Sequence, residues 1–196
     1  MIRIGILGST NGTDLQEIIN AISEKKLHAE ISIVISNRKN AFILKRAEKH
    51  DIQNKYISHL NMNRKEFDHK VTNILEKYKI DLILLIGFMR ILSKSFCKYW
   101  SGKILNVHPS LLPKYSGSMD KDVHAKVLKN KDAETGCTIH FVTEKVDAGP
   151  IFIQKKCRVQ SNDTVETLKT KVQALEGDAF LEAIPLFESK YCSKNG

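Results

Sequence analysis

Short runs of β-branched residues alternate, from Arg3 onward, with longer segments whose apolar residues recur every three to four positions. This switching of hydrophobic period constrains the fold more than any other feature of the chain. Residues 3–7 read as a strand that ends in Gly8-Ser9-Thr10-Asn11-Gly12, after which Leu15, Ile18, Ile19 and Ile22 fall at helical spacing. Thr13-Asp14-Leu15-Gln16 fits the capping-box pattern, so a helix is expected to begin at Thr13. The alternation continues with strands at 31–36, 55–57, 81–86 and 104–107 and helices at 41–49, 64–79 and 121–129. Longer strands at 137–142 and 151–159 and a final helix at 165–187 complete it. Strands alternating with helices imply an α/β, doubly wound, mostly parallel sheet with helices on both faces. A single domain over residues 1–188 is expected, with a flexible tail at 189–196.

Composition narrows the class. Apolar residues at 42% and charged residues at 27% match an ordinary globular chain rather than a disordered or fibrous one. The longest apolar run, 82–86 followed by Gly87, Phe88 and Met89, falls far short of the ~20 residues of a membrane-spanning helix. The first strand leads directly into a glycine-rich turn, without the pattern of a secretory signal, so a cytoplasmic location is expected. Cys97, Cys137, Cys157 and Cys192 show neither a C-x-x-C pair nor zinc-site spacing, which argues for reduced thiols and no metal. The net charge of +9 comes from lysines spread along the chain, a pattern of solvated helices. Such a field also attracts anionic small molecules, and it leaves a basic nucleic-acid-binding α/β module as an alternative of a different class.

Three segments carry candidate chemistry. The loop 8–13 presents backbone N–H groups and a helix N-terminus to a phosphate, although a tight strand-to-helix turn alone would also require its glycines. It has neither the G-x-G-x-x-G spacing of a dinucleotide fold nor the Gly-Lys-Ser/Thr of a P-loop. The second segment is Asn106-Val107-His108-Pro109-Ser110-Leu111-Leu112-Pro113, in which strand alternation puts Asn106 and His108 on one side and two prolines stiffen the exit. Ligands of open α/β sheets bind at such carboxyl ends of strands. The third is 143–150, where Asp147 precedes Ala148-Gly149-Pro150. A carboxylate fixed there would raise the pKa of His108 if the two meet. Phe88-Met89-Arg90-Ile91-Leu92 suits a flat aromatic ligand or plain core packing. His140 reads as a satisfied core histidine and His124 as a residue of a surface helix without a role.

In this order and combination, the segments resemble the phosphoribosylglycinamide formyltransferase family of folate-dependent formyltransferases, over nearly the whole chain. The resemblance implies a Rossmann-like sheet with an antiparallel strand addition in the C-terminal half. It implies transfer of a formyl group from 10-formyltetrahydrofolate, a co-substrate, to the amine of glycinamide ribonucleotide in purine synthesis, without a metal. Asn106, His108 and Asp147 would form the catalytic set. Gly12, Thr13, Asp14, Gln173 and Glu176 would meet the ribonucleotide. Arg64, Met89, Arg90, Ile91 and Leu92, with Asn106 and Asp147, would meet the folate. The Leu112-Pro113 bond would be cis. The partners implied are small molecules, with no nucleic acid or membrane, in a monomer or homodimer.

Three departures from the family pattern stand out. Thr13-Asp14 replaces the usual Ser-Asn, so backbone N–H groups are expected to hold the phosphate with Asp14 turned away. The loop 8–12 differs from Ser-Gly-x-Gly, and Ser116-Gly117-Ser118-Met119-Asp120 replaces a frequent Pro-Gly-x-His segment. Among relatives with the same chemistry, methionyl-tRNA formyltransferase carries a further C-terminal domain and formyltetrahydrofolate hydrolase a further N-terminal one. The length of this chain favours the ribonucleotide enzyme over both.

Overall fold

The computed structural model describes residues 1–118 and 120–192, with the side chains of Asp120 and Lys121 outside the description. The chain runs β1 (Ile2–Gly8), α1 (Thr13–Ser23), β2 (Ala29–Ser36), α2 (Phe42–Lys49), β3 (Asn54–Tyr56), α3 (Arg64–Lys77), β4 (Leu82–Ile86), α4 (Lys94–Tyr99) and β5 (Ile104–His108). It continues through α5 (Asp120–Lys129), β6 (Glu134–Phe141), β7 (Ile151–Arg158) and α6 (Val165–Phe187). The strands form one sheet in the order β3-β2-β1-β4-β5-β6-β7. Pairing is parallel from β3 to β5 and antiparallel for β5–β6 and β6–β7. The doubly wound sheet with an antiparallel C-terminal addition is therefore observed.

Alternation along the central strands explains both faces. Leu82, Leu84 and Ile86 join the core with α1, α2 and α6, whereas Ile83 and Leu85 join the opposite core with Phe67, Val71 and Leu75 of α3 and Phe96 of α4. All five β4 residues are buried, as expected of a parallel strand covered on both sides. Truncating one such side chain, Leu84→Ala for example, removes about 2–5 kcal/mol.

Two expectations need correction. Helix α1 does begin at Thr13, but its N-cap is Gly12 in the left-handed region (φ 65°), with no side-chain cap. The Thr13–Gln16 capping box does not form, because Thr13 is already the first helical residue. Helix α4, capped by the Ser93 side chain, has no counterpart in the sequence reading. Of the tail, residues Glu188–Cys192 form a π-helical turn with Tyr191 against Phe187, and 193–196 lie outside the described residues. Among the described residues no helix is long and apolar enough to cross a membrane.

Candidate active site

The carboxyl ends of β1, β4 and β5 open onto a cleft of about 1210 Å³, larger than the usual ~300–1,000 Å³ of a single small-molecule pocket. Ser9 ties its rim together. Its hydroxyl donates to Asn37 Oδ1 at 2.6 Å and accepts from Met89 N–H at 2.9 Å, while its own N–H donates to Gly87 O at 3.0 Å. Three loops from three strands thereby share one buried side chain.

Asn106 and His108 point into this cleft from β5, on the same side, as alternation requires. The segment that follows is anchored to β6. Leu112 N–H donates to Thr138 Oγ1 at 3.0 Å, and Thr138 Oγ1 donates to Ser110 O at 2.7 Å. The Leu112-Pro113 bond is cis. Opposite β5, the loop after β6 turns at Asp147, which occupies the left-handed region (φ 50°) that Asp tolerates better than most residues. Asp147 Oδ2 lies 3.3 Å from His108 Nδ1 and accepts from Gly117 N–H at 2.8 Å, while Oδ1 lies 3.6 Å from His140 Nε2.

These contacts assign the protons. His140 Nδ1 meets the Phe141 carbonyl at 3.0 Å, and a carbonyl only accepts, so Nδ1 carries the proton and Nε2 accepts from Asn106 Nδ2 at 3.1 Å. The Asn106 amide is thereby oriented, with one N–H used and the other left over. His108 Nε2 meets the Tyr115 carbonyl at 3.1 Å and Nδ1 meets the Asp147 carboxylate at 3.3 Å, so both ring nitrogens face acceptors and only the imidazolium donates to both. Burial pushes the His108 pKa below its ordinary value, against the raising effects of the Asp147 charge and the Tyr115 carbonyl. Asp147 does meet His108 and raises its pKa, as expected, but desolvation of the imidazolium outweighs that contribution. Burial alone would raise Asp147. The contact with His140, the Gly117 N–H and the His108 charge together hold it below the usual carboxylate range.

At one end of the cleft lie Gly12, Thr13 and Asp14, facing Gln173 and Glu176 of α6. Asp14 is not turned out to solvent. It is 5% exposed, and the Glu176 and Asp14 charges add to the burial that pushes the Cys137 thiol up to about 12. At the other end Met89, Arg90, Ile91 and Leu92 line the wall, with Met89 and Ile91 exposed to the cleft and Arg90 stacked over the Phe67 ring at 4.5 Å. Arg64 is not on that wall. It opens α3 as an exposed residue near the buried Asp68 carboxylate, whose pKa burial raises against hydrogen bonds from Ser93 and the charges of Arg90 and Arg64. Of the variant segment 116–120, Gly117 and Ser118 reach the cleft and Met119 lies outside the described residues.

The model of the family described as formyl transferase matches residues 2–184. The chain belongs to the formyl transferase family. It is 43% identical over 189 residues to the trifunctional purine biosynthetic protein adenosine-3 of Gallus gallus, covering 96% of this chain and 18% of that protein. It thus spans under a fifth of that relative's length. To the phosphoribosylglycinamide formyltransferase of Escherichia coli K12 it is 38% identical over 175 residues, 89% of this chain and 81% of the other. The solved phosphoribosylglycinamide formyltransferase of Coxiella burnetii superposes with a TM-score of 0.90 at 42% identity, covering 96% of this chain and 87% of that one.

Three residues of this formyl transferase cleft escape the sequence reading. His140 is buried as expected, yet it faces the cleft and orients Asn106. Only the register that sets the two opposite each other on β6 and β5 reveals it. His124, expected on a surface, is 1% exposed and lines the cleft. Its place beside Val123 and Val127 on the buried face of α5 was the available signal. Lys169 shares its helix face with Gln173 and Glu176 at spacings of four and three, and lines the same wall.

Proposed function

We propose that the chain transfers the formyl group of 10-formyltetrahydrofolate to the primary amine of glycinamide ribonucleotide. One observation carries this reading: Asn106, His108 and Asp147 converge between a glycine loop at a helix N-terminus and an apolar wall, in a cleft large enough for two ligands.

The residues present suit both ligands. Helix α1 has no side-chain cap, so the N–H groups of its first turn, after the left-handed Gly12, can serve a phosphate. Asp14 cannot donate and adds a negative charge there, and Lys169 on the facing helix offers the compensating cation. Gln173 and Glu176 offer hydrogen-bond partners to the ribose. Met89, Ile91 and Leu92 provide an apolar face for the pterin, and the guanidinium of Arg90 complements an anionic tail. Arg64, off the wall, would meet only ligand that extends past Arg90.

The formyl folate supplies an electrophilic carbonyl carbon. The protein's contribution is to place the amine against it and to manage charge and protons. As the amine nitrogen bonds to the formyl carbon, the carbonyl oxygen gains negative charge. The remaining Asn106 N–H and the protonated His108 Nδ1–H are the donors directed at that charge. Asp147 accepts the proton released by the amine, directly or through water. The folate nitrogen leaves with the proton that Asp147, or the water beside it, returns, and the carbonyl is restored. Anionic ligands near His108 favour its protonated form, offsetting the burial that depresses its pKa in the free protein.

Turnover by the purified chain tests this. Product formation is expected to require both glycinamide ribonucleotide and 10-formyltetrahydrofolate. Formate release without the amine would point to a hydrolase instead, and salt-sensitive oligonucleotide binding without turnover would point to a nucleic-acid module.

A further inference from the structure

The turn that holds His108 from behind is itself held by a group of side chains outside the cleft. Tyr115 adopts a left-handed backbone (φ 61°), and its carbonyl accepts from His108 Nε2 at 3.1 Å. Its phenol reaches the other way, donating to Asp132 Oδ2 at 2.7 Å and accepting from Asn130 Nδ2 at 2.9 Å. Asp132 Oδ1 also takes Lys114 Nζ at 3.1 Å, and the Lys114 carbonyl accepts from Ser110 Oγ at 2.5 Å. Asn130 and Asp132 belong to the bend between α5 and β6, so the clasp joins the turn after Pro113 to a separate part of the fold. Burial and the Asp132 hydrogen bond push the Tyr115 phenol up, and that same bond pulls Asp132 down, as a close O–H to carboxylate contact requires. Lys114, Tyr115, Asn130 and Asp132 are all absent from the cleft wall formed by the described residues.

We propose that Tyr115, clasped by Asp132 and Asn130, is the positioning residue of His108: its carbonyl takes the Nε2 proton and holds the ring with Nδ1 turned to Asp147 and the cleft. Both ring nitrogens face acceptors, Nε2 the carbonyl and Nδ1 the Asp147 carboxylate, so only the imidazolium donates to both, and a neutral ring protonated on Nδ1 sets its Nε2 lone pair against the carbonyl oxygen. That repulsion is lost if the carbonyl can swing away. The charged and titratable groups facing His108 are Asp147 from the loop after β6 and His140 from β6 itself. Asp147 and the Tyr115 carbonyl favour the imidazolium, whereas burial and His140 oppose it. Freeing the carbonyl removes one of the two favourable contributions, so it lowers the His108 pKa further and lets the neutral ring settle with its proton on Nδ1, beside Asp147. Only the link to turnover rests on the formyl-transfer reading; the titration belongs to the free protein.

The test is a pH titration of the full chain labelled with 15N at histidine, observed by NMR without ligands. The wild type is expected to show the highest His108 pKa of the series. Tyr115→Phe and Asp132→Ala are expected to give a lower His108 pKa and, in the neutral ring, a larger share protonated on Nδ1. Asp132→Asn retains an acceptor for the phenol and should restore the wild-type pattern. The double variant Tyr115→Phe/Asp132→Ala should be no worse than either single one, since both break the same clasp. In turnover, kcat should fall about tenfold in the two disruptive variants, with both KM values unchanged, because the clasp acts through His108 rather than on ligand. A folded Tyr115→Phe protein with wild-type tautomer and pKa overturns the proposal. Should that variant not fold, equal spectra for Asp132→Ala and the wild type overturn it. A series that titrates as expected while the wild type never turns over would refute the proposed function and leave the clasp standing.

Discussion

At the end of the cleft proposed to take the nucleotide, the loop after β1 is shaped by backbone geometry and packing: Gly12 is left-handed, and a Cβ added to it would overlap Ile43 of α2. At the chemical end, the β5–β6–β7 addition places Asn106, His108, His140 and Asp147 through hydrogen bonds and charge contacts between residues far apart in sequence. Parallel strands bury both faces and leave their carboxyl-end loops to hold ligands by main-chain groups. The antiparallel strands bring side chains directly opposite one another, and the His140–Asn106 pair exists only because of that register. The two ends should therefore fail differently. The chemical end should lose turnover without losing the fold, and the nucleotide end should lose both binding and stability.

The largest expected effect breaks the chemical end alone. His108→Ala removes an oxyanion donor and should lower kcat by about 10²–10³, some 3–4 kcal/mol of barrier, with both KM values nearly unchanged in steady-state assays. A comparable loss of ribonucleotide binding in that variant would show that the two ends are not separate. Gly12→Ala breaks the other end. The left-handed backbone and the overlap with Ile43 should together cost about 2–3 kcal/mol, seen as a lower thermal midpoint together with a raised KM for the ribonucleotide. Wild-type stability with only a KM effect would mean that the loop rearranges freely.

The smallest effect is a pH slope. His108 and Asp147 both have folded-state pKa values below their ordinary 6.5 and 3.8. A depressed folded pKa contributes stability that is present above the unfolded value and lost as pH falls through the folded one. The thermal midpoint should therefore decline in two stages on acidification, His108 first, each pKa unit of depression contributing about 1.4 kcal/mol. His108→Gln should flatten the first stage in calorimetry, and an unchanged slope would remove His108 as its source.

Much of the fold was legible because the parallel strands, apart from the exposed β3, are short apolar runs set between helices of clear period. Helix α4 was not, since six residues are too few to show a period. The N-cap was misassigned because Thr13 and Gly12 both suit that position, and only the backbone angle decides between them. Within the site, Asn106 and His108 followed from alternation on one strand. The meeting of Asp147 with His108, by contrast, depended on how β6 folds back along β5. The direction of the His108 shift could not be read at all, because it is the balance of burial against one carboxylate, and burial appears only in three dimensions. His124 was not legible either, because a polar residue in a ten-residue helix does not show that tertiary packing covers its face.

The central claim, that the side chains of the antiparallel half move a formyl group between two bound ligands, is tested most directly by a rapid-quench single turnover. The full chain, in excess, would be mixed with glycinamide ribonucleotide and 10-formyltetrahydrofolate carrying a labelled formyl carbon. The label is expected to pass to the ribonucleotide amine without appearing as formate, and the transfer rate should fall at least a hundredfold in His108→Ala. Label released as free formate, or transferred as fast by His108→Ala as by the wild type, would contradict it.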